Sequence, residues 1–426
     1  MRFSTMTLGC KANQFDTQVI ERVLTERGHV HTVSGDGCDV CIINTCAVTA
    51  ESVRKSRQAV RRLRRLEPDA LIAVCGCFSQ LEPDAVAALG VDMLGGTGDR
   101  EAFINRLEKI ESKVNIDSKS ILQKKTRALL KIQDGCDNYC AYCIIPYVRG
   151  HACSTPLEDI IQQAKQIGAQ DHKEIVITGI EISAYGNDLI GRPSLIDAIQ
   201  AVNVAAPSAR IRIGSLDPAA VSGDFCDRLS MIPYLCDHFH LSLQSGCDET
   251  LRRMSRKYDT AAVNTTITRL RQSFPNCGIT ADLITGFPGE TEAEFGRTMS
   301  FIRQAGFSGM HIFPFSPRPG TRAADMPEQN KKQAIKERAH AAAELAAQMN
   351  REFKNKQAGR TLEVLFESKK NGIWTGHSRN YLEIATEDIT AKNSIHLVQI
   401  TGIRNGVVWG EIQADSGRNQ LTQKGG

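Results

Sequence analysis

The sequence contains no stretch approaching the roughly 18 consecutive apolar residues that mark a membrane-spanning helix. Its opening, Met1-Arg2-Phe3-Ser4-Thr5-Met6-Thr7, lacks the apolar core of a signal peptide. No internal repeat or low-complexity segment stands out. Charge of neither sign dominates: the net value of +4 permits a nucleic-acid partner without arguing for one. These absences lead to the expectation of a cytoplasmic protein with no membrane partner. Hydrophobic residues at 41% and charged residues at 23% are ordinary for a soluble globular chain, and 426 residues suit two or three domains.

Cysteine, by contrast, is abundant, with 14 residues. Disulfides are disfavoured in the cytosol, so clustered cysteines there point to metal or catalysis, while others serve as small buried apolar side chains.

Residues 1–108 alternate strand and helix signals. Val40–Ile43 and Leu71–Val74 are short apolar runs suited to buried parallel strands, and Asp16 is expected to cap a helix bearing Ile20, Val23 and Leu24 that Gly28 ends. This predicts a small doubly wound α/β domain. Residues 109–126 are polar and look like a linker. Within 127–356, candidate strands Leu129–Gln133, Glu174–Gly179, Arg210–Gly214, Phe239–Leu243, Ile279–Thr285 and Met310–Phe313 alternate with helical segments, predicting an open, partial (β/α)6 barrel followed by a long helix over Gln329–Lys356. In 357–424, short β-like runs at Leu362–Phe366, Tyr381–Ile384, His396–Ile400 and Val407–Ile412 predict a small β-barrel.

Cys136, Cys140 and Cys143 have the spacing C-x3-C-x2-C just after the first barrel strand, where parallel barrels place their chemistry. Three thiolates in one loop suit three irons of a [4Fe–4S] cube, leaving the fourth iron open. Two alternatives share those residues. A structural zinc would take Cys153 as fourth ligand, although zinc loops usually carry two C-x2-C pairs. An electron-transfer cluster would also need a fourth cysteine. The loop resembles that of radical S-adenosylmethionine (SAM) enzymes. That resemblance implies that the open iron binds SAM and that one electron cleaves it to a 5′-deoxyadenosyl radical. It also implies that Gly179, Ile180 and Glu181 lie near the methionine end. Gly286 and Gly289, in Ile284-Thr285-Gly286-Phe287-Pro288-Gly289-Glu290, would then lie near the adenine. For any one of these glycines a tight turn needing positive φ is an equally good account.

Three further cysteines follow strand signals: Gly9-Cys10-Lys11-Ala12-Asn13-Gln14, Asn44-Thr45-Cys46-Ala47-Val48-Thr49 and Cys75-Gly76-Cys77-Phe78-Ser79-Gln80. Adjacent parallel strands would align those loops on one sheet edge, the usual ligand edge. Their wide spacing alone favours scattered buried cysteines. Together, however, the three segments resemble the amino-terminal domain of methylthiotransferases, and over essentially its whole length the chain resembles that family. The resemblance implies a second [4Fe–4S] cluster on Cys10, Cys46 and Cys77. Cys75 competes for the third position, and Gly76-Cys77 matches the family's Gly-Cys step. Cys38, Cys41, Cys226, Cys236, Cys247 and Cys277 match no ligand position and are expected to pack.

Three branches of that family act on N6-threonylcarbamoyladenosine in tRNA, on N6-isopentenyladenosine in tRNA, and on an aspartate of a ribosomal protein. Gly9–Gln14 and Gln133–Asn138 look like the first branch. Departures fall at His151-Ala152-Cys153-Ser154, at Cys247, and at Gly214 and Asp217. The implied reaction uses SAM both as methyl donor and as radical source, and it needs an external electron donor and a sulfur donor. A competing reading from another class is a non-catalytic iron–sulfur protein that binds RNA.

For RNA contact, Arg54 to Arg65 holds seven basic and no acidic residues, with Arg54, Arg57, Arg61 and Arg65 on one helical face. A solvated helix face is the bland alternative. The last domain resembles the TRAM module, a barrel of OB type, with Lys369, Lys370, Arg379 and Arg404 as candidates to meet a tRNA anticodon loop.

Overall fold

The computed structural model describes residues 1–111 and 126–413. Most of the expected linker and the end of the last domain lie outside the described residues, and Lys109–Glu111 continue the helix Arg100–Glu111.

The first unit is a five-stranded parallel sheet. Strands β1 (Arg2–Thr7), β2 (Val40–Thr45) and β3 (Leu71–Gly76) are adjacent in that order, with two-residue strands at Val30–His31 and Met93–Leu94 on the edges. All six residues of β2 are buried, as expected of a central parallel strand with helices on both faces. Helix α1 (Lys11–Glu26) follows β1, and helix α2 (Ala50–Leu66) follows β2 with Thr49 as a hydrogen-bonded N-cap. The expectation that Asp16 caps α1 is corrected. Gly9, at φ +108°, turns the chain so sharply that the helix begins at Lys11 with Cys10 at the N-cap position, leaving Asp16 inside the helix. Gly28, at φ +87°, does end it.

The second unit is the expected half-barrel. Strands β4 (Arg127–Lys131), β5 (Glu174–Thr178) and β6 (Arg210–Ile213) pair in parallel, as do β7 (His238–Gln244), β8 (Gly278–Thr285) and β9 (Gly309–Pro314). The third strand is broken at Gly214: β6 pairs with β5, and the continuation Ser215–Leu216 pairs with β7. The third unit is a closed five-stranded barrel of Thr361–Lys370, Ile373–Ser378, Glu383–Thr386, Ser394–Arg404 and Val407–Ile412, filled by Val364, Phe366, Ile384, Val398, Ile400 and Val408. Among the described residues no helix is long and apolar enough to cross a membrane.

The small barrel plugs the lower end of the half-barrel. Glu174, fully buried, accepts from Arg210 Nε at 2.7 Å and Arg212 Nε at 2.7 Å. Both arginines then donate to carbonyls of the small barrel, Arg210 to His377 and Arg212 to Ser378 and Arg379. Tyr381 stacks on His238 at 4.6 Å and lies under the Arg212 guanidinium. Burial alone would raise the Glu174 carboxyl, but Arg212 and Arg210 outweigh it and hold it far below the usual range. Glu174→Ala strands two buried guanidiniums, so a loss of about 3–5 kcal/mol is expected in chemical denaturation. A midpoint within error of wild type would show that this contact does not fasten the domains.

Candidate active site between two cysteine loops

Because β1, β2 and β3 are adjacent and parallel, their C-terminal ends deliver Cys10, Cys46 and Cys77 to one sheet edge. The first two loops touch: a Cβ on Gly9 would lie 2.9 Å from the Cys46 Cβ. Asn13 stitches them, donating to Leu8 O at 2.9 Å and Thr45 O at 3.0 Å, and its Oδ1 lies 3.8 Å from the Cys77 sulfur. Gly76 sits at φ +95°, and a Cβ there would fall 2.3 Å from Asn44 Oδ1, so only glycine fits before Cys77. Cys75, the competitor, points into the core with Phe3 and Ile20, its thiol pushed up to about 11 by burial. Cys77 is pushed up to about 12 by burial, with Arg149 opposing and Cys46 and Cys10 adding. Cys46 is raised by burial against hydrogen bonds from the Val48 amide and Ser52. Three thiols sensing one another, two of them buried, form a donor set that metal binding would deprotonate.

On the facing side, β4 runs into Gln133–Asp134, which pairs with Cys153–Ser154. Gly135, at φ +66°, crosses so close to His151 that a Cβ would lie 1.8 Å from its carbonyl oxygen. Cys136, Cys140 and Cys143 follow. The Cys140 sulfur accepts from Arg256 Nη1 at 3.1 Å, and the Cys136 sulfur from the Asn138 amide at 3.5 Å. Burial pushes Cys143 up to about 12, with Cys140 and Cys136 contributing. Among the described residues, the trios whose donor atoms lie within 4.8 Å of one another are His240–Asp282–His311 and Cys247–Glu249–Glu294. Neither cysteine trio is drawn as close as that, and Cys153 sits exposed in its short strand.

Gln133 joins the ends of β4 and β5: its Oε1 accepts from the Ile180 and Glu181 amides at 3.1 and 2.8 Å. Glu181 accepts from Asn138 at 3.3 Å and is raised by burial and by Asp217. Gly179 has a packing reason of its own, since a Cβ would lie 2.8 Å from Gln133 O. Gly286 and Gly289 both sit at φ +73° in a turn tied by Glu290, which accepts from the Gly286 amide at 2.7 Å and from Arg338 at 2.9 Å.

Arg149 links the two loops. Its side chain is 1% exposed. One nitrogen donates to Asp134 Oδ1 at 2.8 Å and the other to Asn13 Oδ1 at 2.6 Å and Asp16 Oδ2 at 3.1 Å. Lys131 bridges Asp16 and Asp134 at 2.6 and 3.0 Å, and Arg100 reaches Asp16 at 2.9 Å. Burial would raise both carboxyls. Lys131, Arg100 and Arg149 hold Asp16 below its ordinary value, and Arg149 and Lys131 do so for Asp134. A depressed carboxyl stabilises the fold above its unfolded value and loses that contribution only as pH falls through the folded one, so this junction stays charged throughout the neutral range. Sequence reasoning missed Arg149, Arg256, Gln133 and Asn13 as site residues. Asn13 and Gln133 lie in segments noted for their cysteines, Arg149 and Arg256 do not, and nothing in the chain order pairs Arg149 with Asp16.

The RNA candidates separate. Arg54 pairs with Glu51, and Arg57 pairs with Glu82 and lies over Phe78, whereas Arg61 and Arg65 are exposed. Lys369 and Lys370 are exposed, with Lys369 over Trp374, and Arg404 is exposed over Trp409. Arg379 is corrected: its guanidinium donates to Leu235 O at 3.0 Å and Pro233 O at 3.2 Å, clamping the small barrel to the half-barrel. Its spacing among turn residues gave no sign that a neighbouring domain would cover it.

Residues 2–96 match the family described as Uncharacterized protein family UPF0004, and residues 130–302 match the Radical SAM superfamily. A solved structure of the radical S-adenosylmethionine methyltransferase TsrM from Kitasatospora setae shares the fold, with a TM-score of 0.55 at 14% identity over 74% of each chain. Fold and site thus define a radical SAM protein with a second cysteine-lined edge. The Threonylcarbamoyladenosine tRNA methylthiotransferase MtaB of Bacillus subtilis is 34% identical over 432 residues, covering 96% of this chain and 95% of that protein. The tRNA-2-methylthio-N(6)-dimethylallyladenosine synthase of Bacillus cereus is 34% identical over 409 residues, covering 89% of this chain and 79% of that one. The chain belongs to the radical SAM methylthiotransferase family, whose members use S-adenosylmethionine and [4Fe–4S] clusters.

Proposed function

We propose that this protein adds a methylthio group to C2 of N6-threonylcarbamoyladenosine at position 37 of tRNA, next to the anticodon. The observation that carries the reading is the pair of three-cysteine loops joined through Arg149, on a chain matching 95% of a threonylcarbamoyladenosine enzyme's length but 79% of an isopentenyl-type enzyme's. Cys136, Cys140 and Cys143 would hold the cluster that binds SAM, with Gly179, Glu181, Gly286 and Gly289 around the cofactor. Cys10, Cys46 and Cys77 would hold the second cluster. When bound, these groups supply one-electron cleavage of SAM and the sulfur that is methylated and transferred.

The chain's own residues set the geometry. Gln133 fixes Glu181 against the radical loop, Arg256 offsets charge on the Cys140 thiolate, and the Arg149 junction holds the two loops at one separation, as an oriented reaction requires. Residues 1–108, 127–356 and 357–424 act as cluster domain, radical domain and RNA-binding barrel. Arg61, Arg65, Lys369, Lys370 and Arg404 face the tRNA in this reading. An external electron donor and a sulfur donor complete the reaction in the cytoplasm.

Mass spectrometry of tRNA nucleosides tests it. Deleting the gene should abolish 2-methylthio-N6-threonylcarbamoyladenosine and leave its precursor to accumulate. Loss of the isopentenyl derivative instead would move the protein to the neighbouring branch.

A further inference from the structure

The concave face of the half-barrel is polar and is read from strand alternation. Ile175, Ile177, Ile211, Ile213, Phe239, Leu241, Ile279, Ala281 and Leu283 pack in the outer core. The residues between them, including Glu174, Arg212, His238, His240, Thr280 and Asp282, therefore turn to the concave side. His240 pairs with Asp282 at 3.2 Å, beside the exposed His311. The floor is sealed by Tyr381 of the small barrel.

One side chain approaches this space from the other domain, whose helix α1 is tied to the half-barrel by Asp16 on Lys131 at 2.6 Å and Asn13 on Arg149 at 2.6 Å. Lys11 follows Cys10 at the start of α1. Its ammonium lies within the electrostatic reach of Arg212, Glu174 and Arg127, and His238 senses it in turn. Those four residues stand on four different strands, and the space they share is the concavity. Burial lowers the Lys11 ammonium to about 8, although its side chain keeps access to solvent, and among the described residues it makes no ion pair. The acidic groups nearby are already held, Glu174 by Arg210 and Arg212, and Asp282 by His240. The pocket thus contains a cation whose counter-charge the protein does not supply, surrounded by groups that an isopentenyl chain would leave poorly solvated.

We propose that Lys11 is the specificity residue of the pocket, pairing with the carboxylate of the threonylcarbamoyl group on N6 of the target adenine. This rests on the substrate reading above. The placement is coherent with the chemistry: C2 and the carbon bearing N6 flank one ring nitrogen of adenine, so the group delivering the methylthio unit and the group holding the N6 substituent belong side by side, as Cys10 and Lys11 are in the chain.

The test uses the full-length chain with both clusters reconstituted, as wild type, Lys11→Met and Lys11→Arg, each checked for iron content so that damage at Cys10 is visible. Binding is measured to anticodon stem-loops identical except at position 37, which carries N6-threonylcarbamoyladenosine, its carboxyl methyl ester, N6-isopentenyladenosine or adenosine. Wild type should prefer the free carboxylate over the ester by about 10- to 100-fold, the range of a hydrogen bond to a charged group. Lys11→Met should bind both alike, at the ester's level, and Lys11→Arg should keep the preference. If Lys11→Met weakens all four RNAs by one factor, the lysine meets a backbone phosphate and the proposal is overturned. A preference that survives in Lys11→Met overturns it too. Wild type that prefers and methylthiolates the isopentenyl RNA overturns the substrate reading along with the proposal, a result seen without any variant.

Discussion

Cys140→Ala is expected to yield a folded chain with about half the wild-type iron, about four atoms instead of eight, and no methylthio nucleoside. Cys140 is 9% exposed and its sulfur meets Arg256, which also pairs with Asp217 at 2.9 Å, so the guanidinium keeps a partner and the barrel keeps its fold. Losing a metal ligand should exceed the roughly 10- to 100-fold cost of losing a residue that only supports one. The informative comparison is Cys46→Ala. It should lose a similar amount of iron but continue to cleave S-adenosylmethionine to 5′-deoxyadenosine, because its thiol lies on the other loop. If both variants lose cleavage equally, or if either keeps the full iron content, the assignment of six cysteines to two separate clusters is wrong.

How much of this was legible in the sequence depends on which interactions are local. The strands of the half-barrel were visible because β-branched runs recur between helical segments, and the observed spans match the expected ones within a residue or two. The break of the third strand at Gly214 was not visible, since which neighbour each half pairs with is decided by sheet closure. In the small barrel the strand Ile373–Ser378 was missed: Thr375, Gly376 and His377 carry little apolar signal, and the strand is held by pairing on both sides. The radical loop was legible from spacing within eight residues. The second trio was not, because its ligands meet only through the parallel order of β1, β2 and β3, and a resemblance had to supply what spacing lacked. Cys75 and Cys77 illustrate the limit. Two positions apart, they differ in whether the chain is still in the strand, which depends on Gly76 adopting a conformation that only its packing against Asn44 explains. Arg379 failed because it is committed to a domain distant in sequence, whereas the cap at Asp16 failed locally, because the turn at Gly9 starts the helix at Lys11.

Arg149→Met should separate cleavage of S-adenosylmethionine from transfer. The substitution removes the only group that hydrogen-bonds to Asn13, Asp16 and Asp134 together, among the described residues, and leaves buried Asp16 and part-buried Asp134 sharing Lys131, with Arg100 on Asp16. Breaking a buried charge network by one member costs about 3–5 kcal/mol, so the chain should unfold at lower denaturant. More telling is the ratio of products. With the radical loop intact, 5′-deoxyadenosine should still form, while methylthio product per cleavage falls by about 10- to 100-fold as the second loop loses its fixed position. Arg149→Lys keeps the charge but cannot fork to Asp134 and reach Asn13 at once, so it should lie between the two. A purely structural arginine would give the same instability. It would not move the midpoint potential of the cluster on Cys10, Cys46 and Cys77. Arg149 places a positive charge beside Cys77, so removing it should make that cluster harder to reduce and shift its potential negative. An unchanged potential with an unchanged product ratio would reduce Arg149 to a structural fastening between domains. A shift in both would make it the residue through which the two loops work as one site.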